Sequence, residues 1–477
     1  MQRALEEIFT PARVRTAPED LATWGGDWTR AFKVAPGAIV FPRSIDEVIA
    51  VTRLANTRGL HLVPSGGRTG LSGGAVASNG EIVVSFDRMN RVLDFNAADR
   101  VVRCEAGIVT QALQEYAAQR KLFYPVNFAS SGSSQIGGNI STNAGGIKVI
   151  RYGLTRDWVA GLTVVTGAGD VLECNNALVK NATGYDLRHL FIGAEGTLGF
   201  VVQADIRLLT APAPARVMVL AIDRFADILD VLQCFRDALT LSAFEFFSEL
   251  ALTKVLSRRE VSRPFARAAN FYALIEFDAD DEEAALGAFE TAVERGWAGD
   301  GVISRSDAQA RALWTLRDGI TESIAPYTPY KNDIAVRVSD VPAFLEDIDR
   351  LVSAHYPDFE VCWFGHIGDG NLHLNILKPG NLASDAFYER CHRISPALFK
   401  AIGNRRGSIS AEHGVGLLKR DFLHYSRSPE EIALMRQLKA VFDPNGVMNP
   451  GKLLAPARPG TASMGGRSSP PPSMDLQ

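Results

Sequence analysis

Residues 64–74 read PSGGRTGLSGG, and five of these eleven positions are glycine. The run lies between two apolar segments, one ending at Leu62-Val63 and the other resuming at Ile82-Val83-Val84. With so little side-chain bulk, its backbone can reach positive φ and turn several N–H groups toward one anion. Phosphate or pyrophosphate is the natural guest; a flexible surface turn is the plainer alternative. Working outward, residues 38–42 read as a short strand. Ser44 then caps a helix, Glu47 completes a capping box, and Ile45, Val48, Ile49, Val51 and Leu54 make one broad buried face. Strand, helix, strand, glycine loop and strand in succession specify an α/β or α+β unit.

Two further glycine-rich stretches follow. Residues 127–146 read NFASSGSSQIGGNISTNAGG, polar without being charged, which is not the composition of ordinary disorder. They lie between a helix expected over 110–118 and apolar strands expected over 159–165 and 200–209. A loop walking across a polar ligand fits that position better than a linker. Residues 180–187 and 191–199, KNATGYDL and FIGAEGTLG, form the third stretch. Neither the GxGxxG dinucleotide fingerprint nor the GK[ST] ending of a triphosphatase loop is present.

A chain of 477 residues exceeds one core and implies two or three domains. Net charge −4 and a pI near 6.1 leave no electrostatic footprint for nucleic acid. The five cysteines are scattered without a CxxC pair, which argues against a zinc knot, an iron–sulfur cluster or a disulfide framework and favours a reducing compartment. The N-terminus lacks the apolar region of a secretory signal and makes a poor transit peptide. No run approaches the length of a membrane span. The expectation is a cytoplasmic protein, with any membrane contact peripheral.

Residues 1–34 read as a loosely structured lead-in with a short helix near Ala4–Ile8, and 35–212 as the first domain. The APAP at 211–214 marks a hinge. From 213 to 455, strands at 218–222 and 271–277 alternate with helices at 225–239 and 281–295, followed by helices at 387–402 and 429–442. This suggests a sheet with one helix-covered face and another free to close over a ligand. Residues 456–477 lack apolar content and are expected to be disordered.

The chemistry concentrates in the second half. Residues 364–376 read FGHIGDGNLHLNI, and a strand there puts His373 and Asn375 on one face and Leu372, Leu374 and Ile376 on the other. Residues 410–419 read SAEHGVGLLK, with Glu412 beside His413. Two histidines and a carboxylate form a reasonable Zn²⁺ set with an open position that could polarise an alcohol oxygen. Core histidines satisfied by hydrogen bonds are the alternative. Arg317 and Thr321 are one helical turn apart, and Lys331 follows an aromatic and proline turn. These cations could hold a carboxylate, or Arg317 could simply pair with Asp318 or Glu322.

Taken together and in order, the first loop, NFASSGSSQIGGNISTNAGG, NATGYDLRHLFIGAEGTLG, HIGDGNLH, AEHGVG and FDPNGVMNPGKL resemble one family. It is the FAD-dependent 2-hydroxyacid dehydrogenases of the vanillyl-alcohol oxidase/p-cresol methylhydroxylase superfamily. The resemblance covers about residues 38–454. It implies an α+β architecture: a two-part FAD-binding domain, then an α+β cap domain whose antiparallel sheet lies over the flavin. Pro64, Ser65, Gly66, Gly67, Arg68, Thr69, Gly70, Ser72, Gly73 and Gly74 would cradle the FAD pyrophosphate. Ser130, Ser131, Gly132, Gly137, Gly138, Asn139, Ser141 and Asn143 would line the cofactor, as would Glu195, Gly196, Leu198 and Gly199, with Asn449 near the isoalloxazine. The family pattern puts a divalent metal, Zn²⁺ or another, on His366, His373 and Glu412. It makes His413 the catalytic base, and sets Arg317, Thr321, Lys331 and Asn375 on substrate. The first loop has no histidine, so the flavin is expected to be non-covalent.

The activity implied is oxidation of a D-2-hydroxy acid, D-2-hydroxyglutarate or a related diacid foremost, to the 2-oxo acid. Lactate or glycolate specificity, or a flavin subunit active only in a multi-subunit assembly, are the rivals. With no cluster or haem motif, electrons are expected to leave to an external acceptor: electron-transfer flavoprotein, quinone or cytochrome. A homodimer is compatible with all of this.

Overall fold

The computed structural model describes residues 1–455. The disorder expected for 456–477 lies outside the described residues. The first sheet contains β1 (Val14–Arg15), β2 (Ala38–Val40), β3 (Leu62–Ser65) and β4 (Ile82–Ser85) in the order β1-β2-β4-β3. β2 and β3 run parallel to β4, while β1 is antiparallel to β2. The helix Ile45–Arg58 makes the crossover. Ser44 accepts the N–H of Glu47 as expected, but the Glu47 carboxylate reaches past Ser44 to the N–H of Arg43 and to Arg13.

The next strands are β5 (Val92–Asn96), β6 (Val101–Glu105), β7 (Leu122–Phe123), β8 (Val159–Thr166), β9 (Val171–Cys174), β10 (Gly199–Arg207) and β11 (Leu209–Thr210). Five of them form an antiparallel sheet in the order β5-β6-β10-β8-β9, and β7 pairs separately with β11. Both main sheets of this half bury their apolar side chains in one core, with Val48, Leu62, Leu113, Ile140, Val164 and Phe200 among its members.

The lead-in is more ordered than its composition implies. It forms helices Gln2–Ile8 and Pro18–Trp24, and β1 joins the first sheet. Leu5 and Phe9, one helical turn apart, are buried in the first core, so local apolar spacing outweighs the polar average.

The cap is one seven-stranded antiparallel sheet. Its strands are β12 (Ala215–Ile222), β13 (Leu241–Ser248), β14 (Phe271–Asp278), β15 (Asp300–Ile303), β16 (Tyr330–Ala335), β17 (Val361–His366) and β18 (Asn371–Ile376), in the order β15-β12-β14-β13-β17-β18-β16. β13, absent from the sequence reading, is its central strand. One face packs on helices Asp227–Ala238, Glu282–Glu294, Val341–His355 and Ser384–Asn404. The other face is not wholly free, contrary to expectation. Helices Glu249–Leu256, Asp307–Asp318 and Ile320–Ile324 cover the Val217, Val219, Phe247 and Leu274 side chains. What that cluster leaves over is the stretch above β16, β18 and the His366 end of β17, where Lys331, Asp333, His366, Asn371, His373 and Asn375 share the face.

The two halves are bolted together. Lys148 pairs with Glu276 at 2.8 Å, and Arg151 makes two bonds to Asp278 at 2.7 and 2.9 Å. After the helix Pro429–Phe442, the chain returns to the first half, where Leu62 donates to the Val447 carbonyl and Asn449 donates to that of Leu62. Asn449 is thereby placed beside the start of β3, and its side-chain amide donates to the Gly74 carbonyl at the far end of the glycine loop.

Candidate active site

The loop 66–74 leaves β3 at Ser65 and folds against residues 130–135. A Cβ at Gly67 would stand 2.0 Å from the Ser133 carbonyl oxygen, so only glycine permits this approach. Gly73 and Gly196 have φ of +80° and +67°, which glycine adopts without strain. Arg68 turns back to the Gly66 carbonyl and to Asp87, and Asp87 also accepts from Gln135 and Trp24. Three side-chain oxygens along this seam, Ser65 Oγ, Gln135 Oε1 and Asn449 Oδ1, are buried without a partner. Since buried polar atoms are almost always bonded, a glycine-walled seam with orphaned oxygens suits a polar, hydrogen-bonding cofactor such as FAD.

Several residues assigned to that seam by resemblance turn their side chains elsewhere. Asn139 is buried and donates to Thr110 at 2.7 Å. Asn143 caps its helix in the left-handed region and accepts the Arg156 N–H. Leu198 belongs to the first core, and Gly199 begins β10 where a Cβ would meet the Val165 carbonyl. Ser131 closes a turn onto Phe128, and Ser141 bonds back to Gly137. Glu195 holds the N–H groups of Val415 and Gly416. Ser130, Gly132, Gly137 and Gly138 lie on the same turn and helix start, and Pro64, Thr69, Gly70 and Gly74 on the first loop or its approach.

On the open cap face, strand register does the positioning. Lys331 is opposite Asn375 and Asp333 opposite His373, while His373 is opposite Phe364 and Asn371 opposite His366. Paired residues share a face, so Lys331, Asp333, Asn375, His373 and His366 all look out together. Glu412 comes from the loop 410–416. Ligand atoms of His366, His373 and Glu412 lie within 4.8 Å of one another, and His366 Nε2 is 3.4 Å from Glu412 Oε1. The His413 ring stacks near His373 at 6.2 Å.

Two carboxylates that the sequence reading did not single out organise this cluster. Glu245 on β13 accepts from His366 Nδ1 and forms an ion pair with Arg317, both at 2.8 Å. Its bond to Nδ1 leaves His366 Nε2 facing Glu412. Asp333 accepts the N–H groups of Glu412 and His413 at 2.9 and 3.0 Å and the Asn371 amide at 2.9 Å. His413 Nδ1 is 3.5 Å from Asp333 Oδ2. Burial works to raise the Asp333 pKa, but His413, Lys419, His373 and the donated N–H groups together hold it well below the usual carboxylate range.

The remaining shifts show crowded acids. Burial pushes Glu412 up to about 8, with Asp333, Asp369 and Glu245 adding to the rise, and burial pushes Asp369 up to about 6. Burial disfavours the His366 cation, yet Glu245 and Glu412 raise its pKa to about 9. Burial lowers His413 and leaves its imidazole neutral near pH 7. Carboxylates and imidazoles gathered in this way could hold a divalent cation.

The expected substrate cations are not alike. Arg317 is 6% exposed and already paired with Glu245, with its Nε unpartnered. Its expected partners Asp318 and Glu322 are not the ones it takes. Lys331 is solvent-accessible, yet enough protein surrounds it to lower its ammonium pKa by desolvation, as for a side chain standing in a cleft. Thr321 is exposed on the helix after Gly319, and no described hydrogen bond ties its side chain to the cluster. Asn375 is buried beside His373, donating to its carbonyl at 3.3 Å.

Asp333 and Glu245 each had a signal. Asp333 follows Lys331 at strand spacing in KNDIA, and Glu245 interrupts the apolar run AFEFF.

The family models define the class. "FAD binding domain" matches residues 36–175, and "FAD linked oxidases, C-terminal domain" matches residues 211–453. The chain is 58% identical to the D-2-hydroxyglutarate dehydrogenase of Stutzerimonas stutzeri over 94% of its own length and 98% of that relative's. It is 38% identical to the mitochondrial D-2-hydroxyglutarate dehydrogenase of Bos taurus, over 94% of this chain and 82% of the bovine one. The chain therefore belongs to the FAD-dependent D-2-hydroxyacid dehydrogenase family, and it oxidises a D-2-hydroxy acid with FAD. Among solved structures, p-cresol methylhydroxylase aligns with a TM-score of 0.75 at 12% identity over 95% of this chain and 96% of that one. Alkyldihydroxyacetonephosphate synthase aligns at 0.71 and 18%, over 94% and 85%. At these identities they establish the shared α+β flavoenzyme fold. Among the described residues, no helix is long and apolar enough to cross a membrane.

Proposed function

We propose that the substrate is D-2-hydroxyglutarate, oxidised to 2-oxoglutarate with His413 as the base, and that His366, His373 and Glu412 hold a divalent metal, Zn²⁺ foremost. The observation that carries the reading is the meeting of those three ligands with His413 and Lys331 around one open patch of the cap face. The relatives named for this substrate support the choice of acid.

His413 Nδ1 faces Asp333, so its proton belongs on Nδ1 and Nε2 is the basic atom. Nε2 takes the substrate hydroxyl proton; Asp333 holds the ring and stabilises the imidazolium that results. Lys331 binds a substrate carboxylate from the open side. Asn375 lies opposite it, and Arg317 presents its unpartnered Nε from the covered side. Glu245 keeps His366 in one tautomer and partly neutralises Arg317. A divalent cation on the three ligands would supply Lewis acidity to a hydroxyl otherwise too weakly acidic for a neutral histidine. FAD, when bound along the glycine seam, supplies the acceptor for the Cα hydride. Losing that hydride and the hydroxyl proton turns the alcohol into the ketone.

The electrons then pass to an external acceptor, and the setting we favour is cytoplasmic. The test is anaerobic mixing of metal-replete protein with D-2-hydroxyglutarate, D-malate, D-lactate and the L-enantiomers while following flavin absorbance. Fastest bleaching by D-2-hydroxyglutarate is expected. Equal rates with D-lactate would overturn the diacid assignment.

A further inference from the structure

Residues 412–416 hang between two buried carboxylates from different halves of the protein. From the cap, Asp333 takes the N–H groups of Glu412 and His413. From the FAD-binding half, Glu195 takes those of Val415 and Gly416, both at 2.7 Å. We propose that Glu195 is a positioning residue for His413, fixing the base relative to the flavin-binding half, and not a ligand of the cofactor.

Every polar group of Glu195 already has a partner. Its N–H donates to the Ser141 carbonyl, its own carbonyl accepts from Asn449 Nδ2, and each carboxylate oxygen holds one loop N–H. It is 7% exposed and has a φ of +52°, a region that non-glycine residues rarely adopt, so the surroundings over-determine its placement. The loop is shaped to receive it. A Cβ at Gly414 would stand 3.1 Å from the Glu195 carboxylate, and one at Gly416 would stand 2.1 Å from the Ser72 carbonyl. Ser72, on the glycine loop, donates to the His413 carbonyl and accepts from Leu417 and Leu418. The base therefore rides on a segment anchored directly to the pyrophosphate loop. Without Glu195, Asp333 would hold one end of the segment to the cap with a charged acceptor, and the flavin side would keep only the neutral contacts of Ser72. A misplacement of about 1 Å at a reacting group costs on the order of 10²-fold in rate.

The proposal rests on His413 being the base. The test compares Glu195→Gln, His413→Asn and the double variant by anaerobic flavin reduction, with whichever D-2-hydroxy acid reduces the wild type fastest. Glutamine keeps the volume and one acceptor but turns an NH2 toward a loop N–H. Glu195→Gln should retain wild-type FAD and metal content and an unchanged KM, with flavin reduction slowed about 10²-fold. In the His413→Asn background it should slow the reaction no further. Three results overturn it: a wild-type rate, full multiplicative slowing in the double variant, or loss of FAD in proportion to activity. Should Glu195→Gln fold poorly, Glu195→Asp withdraws the carboxylate by one methylene with its charge kept, and the same readings apply. A wild-type rate in His413→Asn alone instead removes the base assignment beneath.

Discussion

The glycine seam and the histidine cluster on the cap face are built on opposite principles. Residues 64–74 work by lacking side chains: Gly67 and Gly73 let the backbone close on Ser133 and Phe32. The cap centre works by side chains, drawn from β13, β16, β17, β18 and the 412–416 loop. A site made of backbone is broken by adding atoms, and a site made of side chains is broken by taking them away. The two halves should therefore fail differently.

The largest failure should come from removing the metal. A chelator should abolish flavin reduction by D-2-hydroxyglutarate, leave flavin absorbance in place, and be reversed by Zn²⁺. His366→Ala should show the same loss without the reversal. A metal-free preparation at full rate ends the metal assignment. His413→Asn comes next. Positioned general bases are worth typically ~10²–10⁴-fold, and the loss should appear in the bleaching rate while the yellow colour remains. Near-normal bleaching refutes the base role.

The seam should fail the other way. Gly67→Ala forces a Cβ to within 2.0 Å of a carbonyl oxygen, and overpacking of this kind costs typically 1–3 kcal/mol. We expect a lower melting temperature and a reduced FAD-to-protein ratio, with each remaining yellow molecule turning over normally. A full flavin complement with slowed turnover would mean that residues 64–74 shape the reaction and not the cofactor's hold.

The same contrast explains what was legible in the sequence. The seam is contiguous, and glycine in clusters has few other uses, so residues 64–74 and 127–146 announced themselves. The helix over 110–118 and the helix over 429–442 could be read from local periodicity and match the structure end for end. The histidines stood out because they are few and flanked by glycine. Asp333 and Glu245 left only weak local marks, an acid at strand spacing after Lys331 and a break in an apolar run, because their partners lie across the sheet: His373 is opposite Asp333 in register. Leu241–Ser248 was missed for a related reason. It is a central strand buried on both faces, and so shows no alternation. Glu195 sits in a glycine motif, and its carboxylate holds the N–H groups of Val415 and Gly416, contacts that no local pattern records.

The smallest effect expected is also the sharpest for substrate choice. Lys331 stands in the open cleft, whereas Arg317 is buried and shares its charge with Glu245. A carboxylate common to all 2-hydroxy acids must sit beside the reacting carbon, close to the histidines, while the second carboxylate of a diacid can extend toward the cleft. Lys331 suits the second role. A hydrogen bond to a charged group is worth about 1.5–3 kcal/mol, so Lys331→Ala should raise KM for D-2-hydroxyglutarate by roughly tenfold to a hundredfold. The KM for D-lactate, which has no second carboxylate, should move little, and kcat for either acid should hold. If both acids weaken equally, Lys331 grips the carboxylate they share, and selection of the diacid must lie with Arg317 or Asn375 instead.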